Sequence, residues 1–512
     1  MFDAIVIGAG TNGLSAAARL ARSGVRVAVV EQRPVVGGLA AREEFHPGYF
    51  TPGILHDSSR VAARVVEELD LQHHGLKRRA SRLPVYSPAI DGTDLLLHAD
   101  PEVAGKELGA LSLAERDAYR DWRRLLARIA PFVTRMLSEA PPQLGATSLS
   151  AGWEWLKAGV GLRRLGKDDV RTLLRVAPMS LADSLSEWFQ TDVLQAQLAA
   201  PALLGSWGGP WSPGTTLPLL LHEATALPDI AGGSPAFVAA LKSSCDAEQV
   251  EFFLGTRVHQ ITLESGRVRG VTLSNGETLD APCVLGTCDP QQLFHDLIEP
   301  RWLPPQLAAD MRCLRARGTT TKVHIALNAP LEFAQRPGTT FELIRIGESL
   351  RDLERAFDSA KYGEYSRTPH LEVQVPSIAD PSYAPDEHHV ASILVHHTPF
   401  DLGGGWTAAA SKGLGRVVLA QLAQHVPDLL DRVEAMEVLT PIDLAQRYGV
   451  PNGHVHHGEV ALDQMFALRP SHHCSRYGTP IPGLFLGGSG AHPGGGVTGL
   501  PGLLAAERIL FA

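Results

Sequence analysis

The first 31 residues constrain the fold more than any other stretch. Phe2-Asp3-Ala4-Ile5-Val6-Ile7 is a short, β-branched run of the kind that forms a buried strand. Gly8-Ala9-Gly10-Thr11-Asn12-Gly13 follows, then an alanine-rich stretch from Leu14 to Ser23 that reads as a helix stopped at Gly24. Val25-Arg26-Val27-Ala28-Val29-Val30 reads as a second strand, ending at Glu31. Gly8 allows the tight turn, Gly10 lets backbone approach a pyrophosphate, and Gly13 lets helix and strand pack closely. The helix N-terminus offers free N–H groups and a positive dipole end to phosphate. Glu31 stands where a carboxylate accepts hydrogen bonds from ribose hydroxyls. The unit therefore predicts dinucleotide binding on an NAD(P)-binding-like Rossmann fold.

Just past Glu31, Gln32 and Arg33 lead to Gly37-Gly38-Leu39-Ala40, whose glycine pair lets the chain cross beneath the same pyrophosphate. There is no second GxGxxG unit for a nicotinamide dinucleotide. No CxxxxC follows the first unit either, which disfavours a disulfide reductase.

The chain has 512 residues, enough for two to four domains or one large discontinuous pair. With 44% hydrophobic and 20% charged residues, disorder is excluded. A net charge of −9 argues against nucleic acid as a partner. The five cysteines include no CxxC pair, so no metal site is expected. Cys283 and Cys288 are spaced like a redox pair, but Cys283 sits in an apolar run and reads as a small hydrophobe. The longest apolar stretches, such as 217–221, are too short to span a membrane, and no cleavable signal is visible, so the expected compartment is cytoplasmic.

Residues 111–139 read as one amphipathic helix that Pro131 should kink or split. Residues 151–229 carry Trp153, Trp155, Trp188, Trp207 and Trp211 and read as a helical cap, the aromatics serving its core or an apolar cavity. The stretch from Trp153 to Lys167 mixes Trp, Leu and Arg, which leaves peripheral contact with a membrane open. Strands are expected at 250–253, 258–263, 268–273 and 278–285 as one β-meander, with Asn275-Gly276 as a hairpin turn. A second, antiparallel set is expected at 321–327, 341–346, 370–375 and 390–396, flooring a substrate pocket, and helices at about 411–425 and 428–436.

Near the C-terminus, Leu484-Phe485-Leu486 reads as a strand. It leads into Gly487-Gly488-Ser489-Gly490-Ala491-His492-Pro493-Gly494-Gly495-Gly496-Val497-Thr498-Gly499 and a closing helix from Leu503. So dense a glycine run brings backbone into contact with a flat ring system, and the following helix points its dipole at developing negative charge.

At these residues the chain resembles the bacterial-type phytoene desaturase family of amine-oxidase-related flavoproteins, within it the subgroup named after pyridine nucleotide-disulphide oxidoreductase domain-containing protein 2. The resemblance runs through the N-terminal fingerprint, Asp229–Phe237 with Gly232-Gly233, Leu462-Asp463-Gln464 with Arg469-Pro470, and the run from Gly488 to Gly499. It implies an α/β fold. A glutathione-reductase-like Rossmann FAD-binding domain would form from 1–80, 230–298 and 433–512. A mixed α+β substrate domain with antiparallel sheet and helical cap would form from 81–229 and 299–432.

It also implies non-covalent FAD. Gly8, Gly10, Thr11, Asn12 and Gly13 would hold the pyrophosphate, and Glu31 the ribose, with Gln32 or Arg33 lining it. Gly37, Gly38, Leu39 and Ala40 would follow the phosphates and ribityl chain, and Val258 would meet the adenine. Gly488 and Ser489 would face the pyrophosphate or ribityl group, and Gly496, Val497 and Thr498 the flavin's pyrimidine edge. Many relatives carry Gly-Glu where this chain has Gly488-Ser489, so a hydroxyl replaces an acidic contact.

The implied chemistry is desaturation of a small apolar, isoprenoid- or carotenoid-like substrate, with hydride transfer to flavin N5 and a proton taken from the adjacent carbon. Of the histidines near the C-terminus, His457, next to Gly458-Glu459, and His492, in the glycine run, are the expected bases. Three alternatives stay open: a flavin amine oxidase, which often has a flavin-facing Lys, a redox-neutral flavin-dependent isomerase, and a flavin-bearing interaction protein.

Overall fold

In the computed structural model, which describes residues 1–143 and 149–511, Ala4–Ile7 is the middle strand of a five-stranded parallel sheet. The order is Leu484–Leu486, Val284–Gly286, Ala4–Ile7, Val27–Glu31 and Glu251–Leu254. Ile5 lies opposite Val284 on one side and Ala28 on the other. These central strands are buried on both faces, which is why they read as apolar runs without alternation. Thr11–Ala21 packs against Gly233–Ala247 and against Leu500–Leu510, so the two ends of the chain lie side by side.

The expected four-strand meander is divided between two sheets. Glu251–Leu254 and Val284–Gly286 belong to the parallel sheet, while Val258–Glu264, Arg267–Leu273 and Thr278–Asp280 form a separate antiparallel one. Pro282 cannot donate a ladder hydrogen bond, and the expected strand 278–285 breaks around it.

A second large sheet has seven strands in the order Val433–Leu439, Thr320–Leu327, His389–His396, Leu371–Gln374, Leu343–Ile346, Val85–Ser87 and Leu95–Leu97. The expected helix at 428–436 is not present. Only Leu429–Arg432 is helical, and Val433–Leu439 pairs antiparallel with Thr320–Leu327. The stretch 433–439, expected with the FAD-binding segments, is thus an edge of the other sheet. Unpaired backbone along Thr320–Leu327 overrides a weak helical preference.

One face of this sheet is apolar. Val323, Ile325 and Leu327 pack under Leu414, Val418 and Leu422 of the helix Ala408–Ala423. The alternate residues Lys322 and His324 project from the opposite face and are fully buried as well.

The cap consists of helices, among them Pro101–Leu111, Leu113–Ser138, Leu149–Arg164, Asp192–Leu203 and Thr216–Thr225. Residues 144–148 of the expected substrate domain lie outside the described residues. Leu113–Ser138 runs through Pro131 without dividing. Burial of Trp122, Leu125, Leu126, Ile129 and Val133 along one side outweighs the roughly 3 kcal/mol that an interior proline costs. Trp188 and Trp207 are half-buried, whereas Trp153, Trp155 and Trp211 are exposed. Among the described residues, no helix is long and apolar enough to cross a membrane.

Candidate functional site

A cleft of about 1020 Å³, open mouth included, runs along the C-terminal edge of the parallel sheet. This is where parallel α/β sheets place their ligands. Gly8, Gly10, Thr11, Asn12, Gly13, Glu31, Gln32, Arg33, Gly37, Gly38, Leu39, Ala40 and Val258 line it from the first half of the chain, and His457, Ser489, Gly496 and Val497 from the far end. Three residues expected at the site stand outside this lining. Gly488 packs against the Thr287 backbone, Thr498 is buried with its Oγ1 accepting from the Leu500 N–H at 3.3 Å, and His492 is fully buried.

The two glycine segments approach each other closely. Gly38, at φ +55°, places its Cβ position 3.2 Å from the Gly10 Cα. A Cβ on Gly13 would run into the Gly8 carbonyl oxygen, and one on Gly502 into the Asn12 carbonyl oxygen. A Cβ on Gly10 would meet no atom within 4 Å, so that residue faces open cleft. The Thr11–Ala21 helix begins at Gly10 with no side-chain cap and no acidic residue in its first turn. Its first N–H groups therefore point at the cleft uncompensated, a donor set that fits phosphate.

Glu31 is held in place at both oxygens, accepting from the Ala9 N–H at 2.7 Å and the Arg33 N–H at 2.9 Å. The Asn12 amide donates to the Ser489 hydroxyl at 3.3 Å and joins the two ends of the chain. Arg33 pairs with Glu43 at 2.6 Å and stacks on Tyr448 at 4.4 Å, closing one side of the cleft. Sequence reasoning did not single out Thr287, Arg257, Tyr448 or Gly449 as lining residues. Thr287 donates to the Ile7 carbonyl at 2.8 Å, so its hydroxyl ties two strand ends together, which no spacing pattern reveals.

Arg469 explains the Arg-Pro motif. Its buried guanidinium donates to the carbonyls of His456 (2.7 Å), Ser489 (2.8 Å), Gly458, Glu459 and Gln464. It therefore straps the histidine-rich loop onto the glycine run. Burial pushes it down to about 10, still charged at neutral pH.

The two histidines expected as bases are both neutral. Burial, with His454 and Arg469 nearby, brings His457 down to about 3, and burial brings His492 down to about 4. A general base works best with a pKa near the operating pH. His457 lines the cleft with its basicity lowered, and His492, fully buried, is not part of the lining.

The polar face of the seven-stranded sheet holds groups that the sequence reading missed. Lys322 Nζ lies 2.8 Å from His56 Nδ1, and His56 Nε2 lies 2.9 Å from Glu372, whose other oxygen accepts from Arg345 at 2.8 Å. Burial lowers Lys322 to about 7, with Glu372 opposing. His56 is lowered too, by burial and then by Lys322. His222, buried yet raised by its carboxylate partners, stands between Asp57 (3.1 Å) and Glu223 (3.1 Å), and Glu223 also pairs with Arg82 and Arg123 at 2.8 Å each. The available signal was a Lys and a His at alternate positions in the apolar run Thr320–Leu327. His56 adjoins Leu55, which lines the cleft, so this network lies beside the glycine-lined space.

Comparison with known proteins finds relatives over nearly the whole chain. Residues 13–510 match the family described as flavin containing amine oxidoreductase. Pyridine nucleotide-disulfide oxidoreductase domain-containing protein 2 of Rattus norvegicus is 32% identical, the alignment covering 99% of this chain and 93% of that protein. A neurosporene-forming phytoene desaturase of Cereibacter sphaeroides is 26% identical over 99% of this chain and 93% of its own. The crystal structure of an oxidoreductase from Methanosarcina mazei shares the fold, with a TM-score of 0.61 at 16% identity and all of both chains covered. The chain belongs to the flavin containing amine oxidoreductase family. It is a phytoene desaturase-like, FAD-dependent oxidoreductase.

Proposed function

We propose that the protein dehydrogenates an apolar substrate at the inner end of the glycine-lined cleft, with FAD held non-covalently by residues from both ends of the chain. The observation that carries this reading is the single cleft shared by Gly8–Gly13, Gly37–Ala40 and Gly496–Val497. The uncapped helix at Gly10 binds the pyrophosphate, and Glu31, fixed by two backbone N–H groups, accepts from the ribose. When bound, FAD supplies the two-electron acceptor. The phytoene desaturase relative supports an apolar chain as substrate.

The protein's own contribution is positioning and proton management. His56, which lines the polar chamber beside the cleft, and Lys322, in contact with it at 2.8 Å, form the proton-accepting pair, with His56 the member that faces open space. With its pKa near 7, the Lys322 amine is free to take a proton at neutral pH, and His56 connects it to Glu372. Anaerobic addition of apolar metabolites, with mass spectrometry of the product, tests the reading. Bleaching of the flavin and a product two hydrogens lighter is the expected result. Bleaching by amines alone, with hydrogen peroxide released in air, would assign the protein to amine oxidation instead.

A further inference from the structure

A second cavity, of about 570 Å³ with its open mouth included, lies between the cap and the glycine run. Leu137, Pro201, Leu204, Leu221, Val460 and Met465 supply its apolar lining. Gly494 and Gly495 form another part of the wall, next to Gly496 and Val497 of the cofactor cleft. His222 lines both this cavity and the polar chamber that holds His56, Arg82, Arg345 and Glu372. The two spaces therefore meet at His222.

Four polar side chains reach the apolar cavity: Arg60, His222, His456 and Arg469. None is acidic. Arg469 is fully engaged by backbone carbonyls, and His222 is held by Asp57 and Glu223. His456 is neutral, held well below its ordinary value by burial and then by His454 and Arg469. Arg60 differs from all three, because its guanidinium has no hydrogen bond or ion pair among the described residues. The nearest carboxylates, Asp57 and Glu223, are committed to His222 and to Ser59, Arg82 and Arg123. A half-buried cation facing an apolar, acid-free cavity is a vacant binding group, since burying an unpaired charge is costly.

We propose that Arg60 reads an anionic group, a carboxylate, on an otherwise apolar substrate whose chain occupies the cap cavity. This deepens the dehydrogenase reading and rests on it. The substrate class is then an acidic amphiphile rather than a plain hydrocarbon. A cationic amine meets Arg60 and Arg469 on entry and is disfavoured on the same ground.

The test uses the flavin-loaded protein, with decanoate and decanol as probes that differ in charge but share one chain. Binding is followed through perturbation of the flavin absorbance. Decanoate is expected to bind at least about tenfold tighter than decanol, the scale of one charge-assisted hydrogen bond. Arg60→Ala weakens decanoate by about tenfold to a hundredfold and leaves decanol unchanged, while Arg60→Lys keeps part of the preference. Equal affinity for the two probes, or an Arg60→Ala variant that retains its flavin and still prefers decanoate, overturns the proposal. Wild-type protein that carries no flavin would instead overturn the oxidoreductase reading beneath it.

Discussion

Lys322 is the residue on which the chemistry and the stability of the fold pull in opposite directions. Its unfolded-state pKa is near 10.5 and its folded value near 7. Between those values the unfolded chain binds the extra proton, so folding stability rises with pH across that window. Below about 7 the cost of burying the amine is present in full. Lys322→Met removes it, so the variant is expected to melt at least about 2 °C above the wild type at pH 7. The gain shrinks toward zero by about pH 10. The same variant keeps its flavin and loses turnover by about a hundredfold, the scale of one general base. Melting curves at pH 6, 8 and 10 together with single-turnover bleaching check both halves. A variant less stable than wild type at every pH would show that Lys322 is a structural ion and no proton acceptor.

At the scale of elements, the cleft depends on how closely the last helix approaches the first. Leu500–Leu510 crosses Thr11–Ala21 at Gly502, where a Cβ would meet the Asn12 carbonyl. Gly502→Ala is expected to cost about 1–3 kcal/mol of stability, as overpacking does, and to weaken FAD binding by displacing Asn12. Gly105→Ala, in the helix Pro101–Leu111, is the matched control. Its Cβ sits 3.5 Å from the nearest atom, an ordinary contact, so it is expected to stabilise by about 0.5–1 kcal/mol. Denaturant titrations of both variants, with flavin content recorded, decide the point.

The elements also show where the sequence was legible. The first βαβ unit could be read because Gly8, Gly10, Gly13 and Glu31 each have a local, spacing-bound task. Four of the seven strands of the second sheet could be read from their apolar runs, but the short strands Val85–Ser87 and Leu95–Leu97 were not among them. Val433–Leu439 could not, because its partner Thr320–Leu327 is far away in the chain and pairing decides its state. The charged network around Lys322 was hidden for a related reason. His56, His222, Arg345 and Glu372 come from separate segments, and only the folded chain brings them within hydrogen-bond reach.

At the scale of the whole molecule, two distant segments of chain line one cleft for the coenzyme. The Asn12–Ser489 contact, the crossing at Gly502 and the strap of Arg469 all make that shared cleft a product of the complete fold. A ligand that binds only the folded state stabilises it by mass action, by about 2.7 kcal/mol at a hundredfold excess over its Kd. The most direct test is to purify the protein, measure its absorbance in the visible flavin band, and identify the extracted chromophore by mass. One FAD per chain is expected, released on unfolding and restored on adding FAD back with a rise in melting temperature. Colourless protein that neither takes up FAD nor gains stability from it would contradict the account.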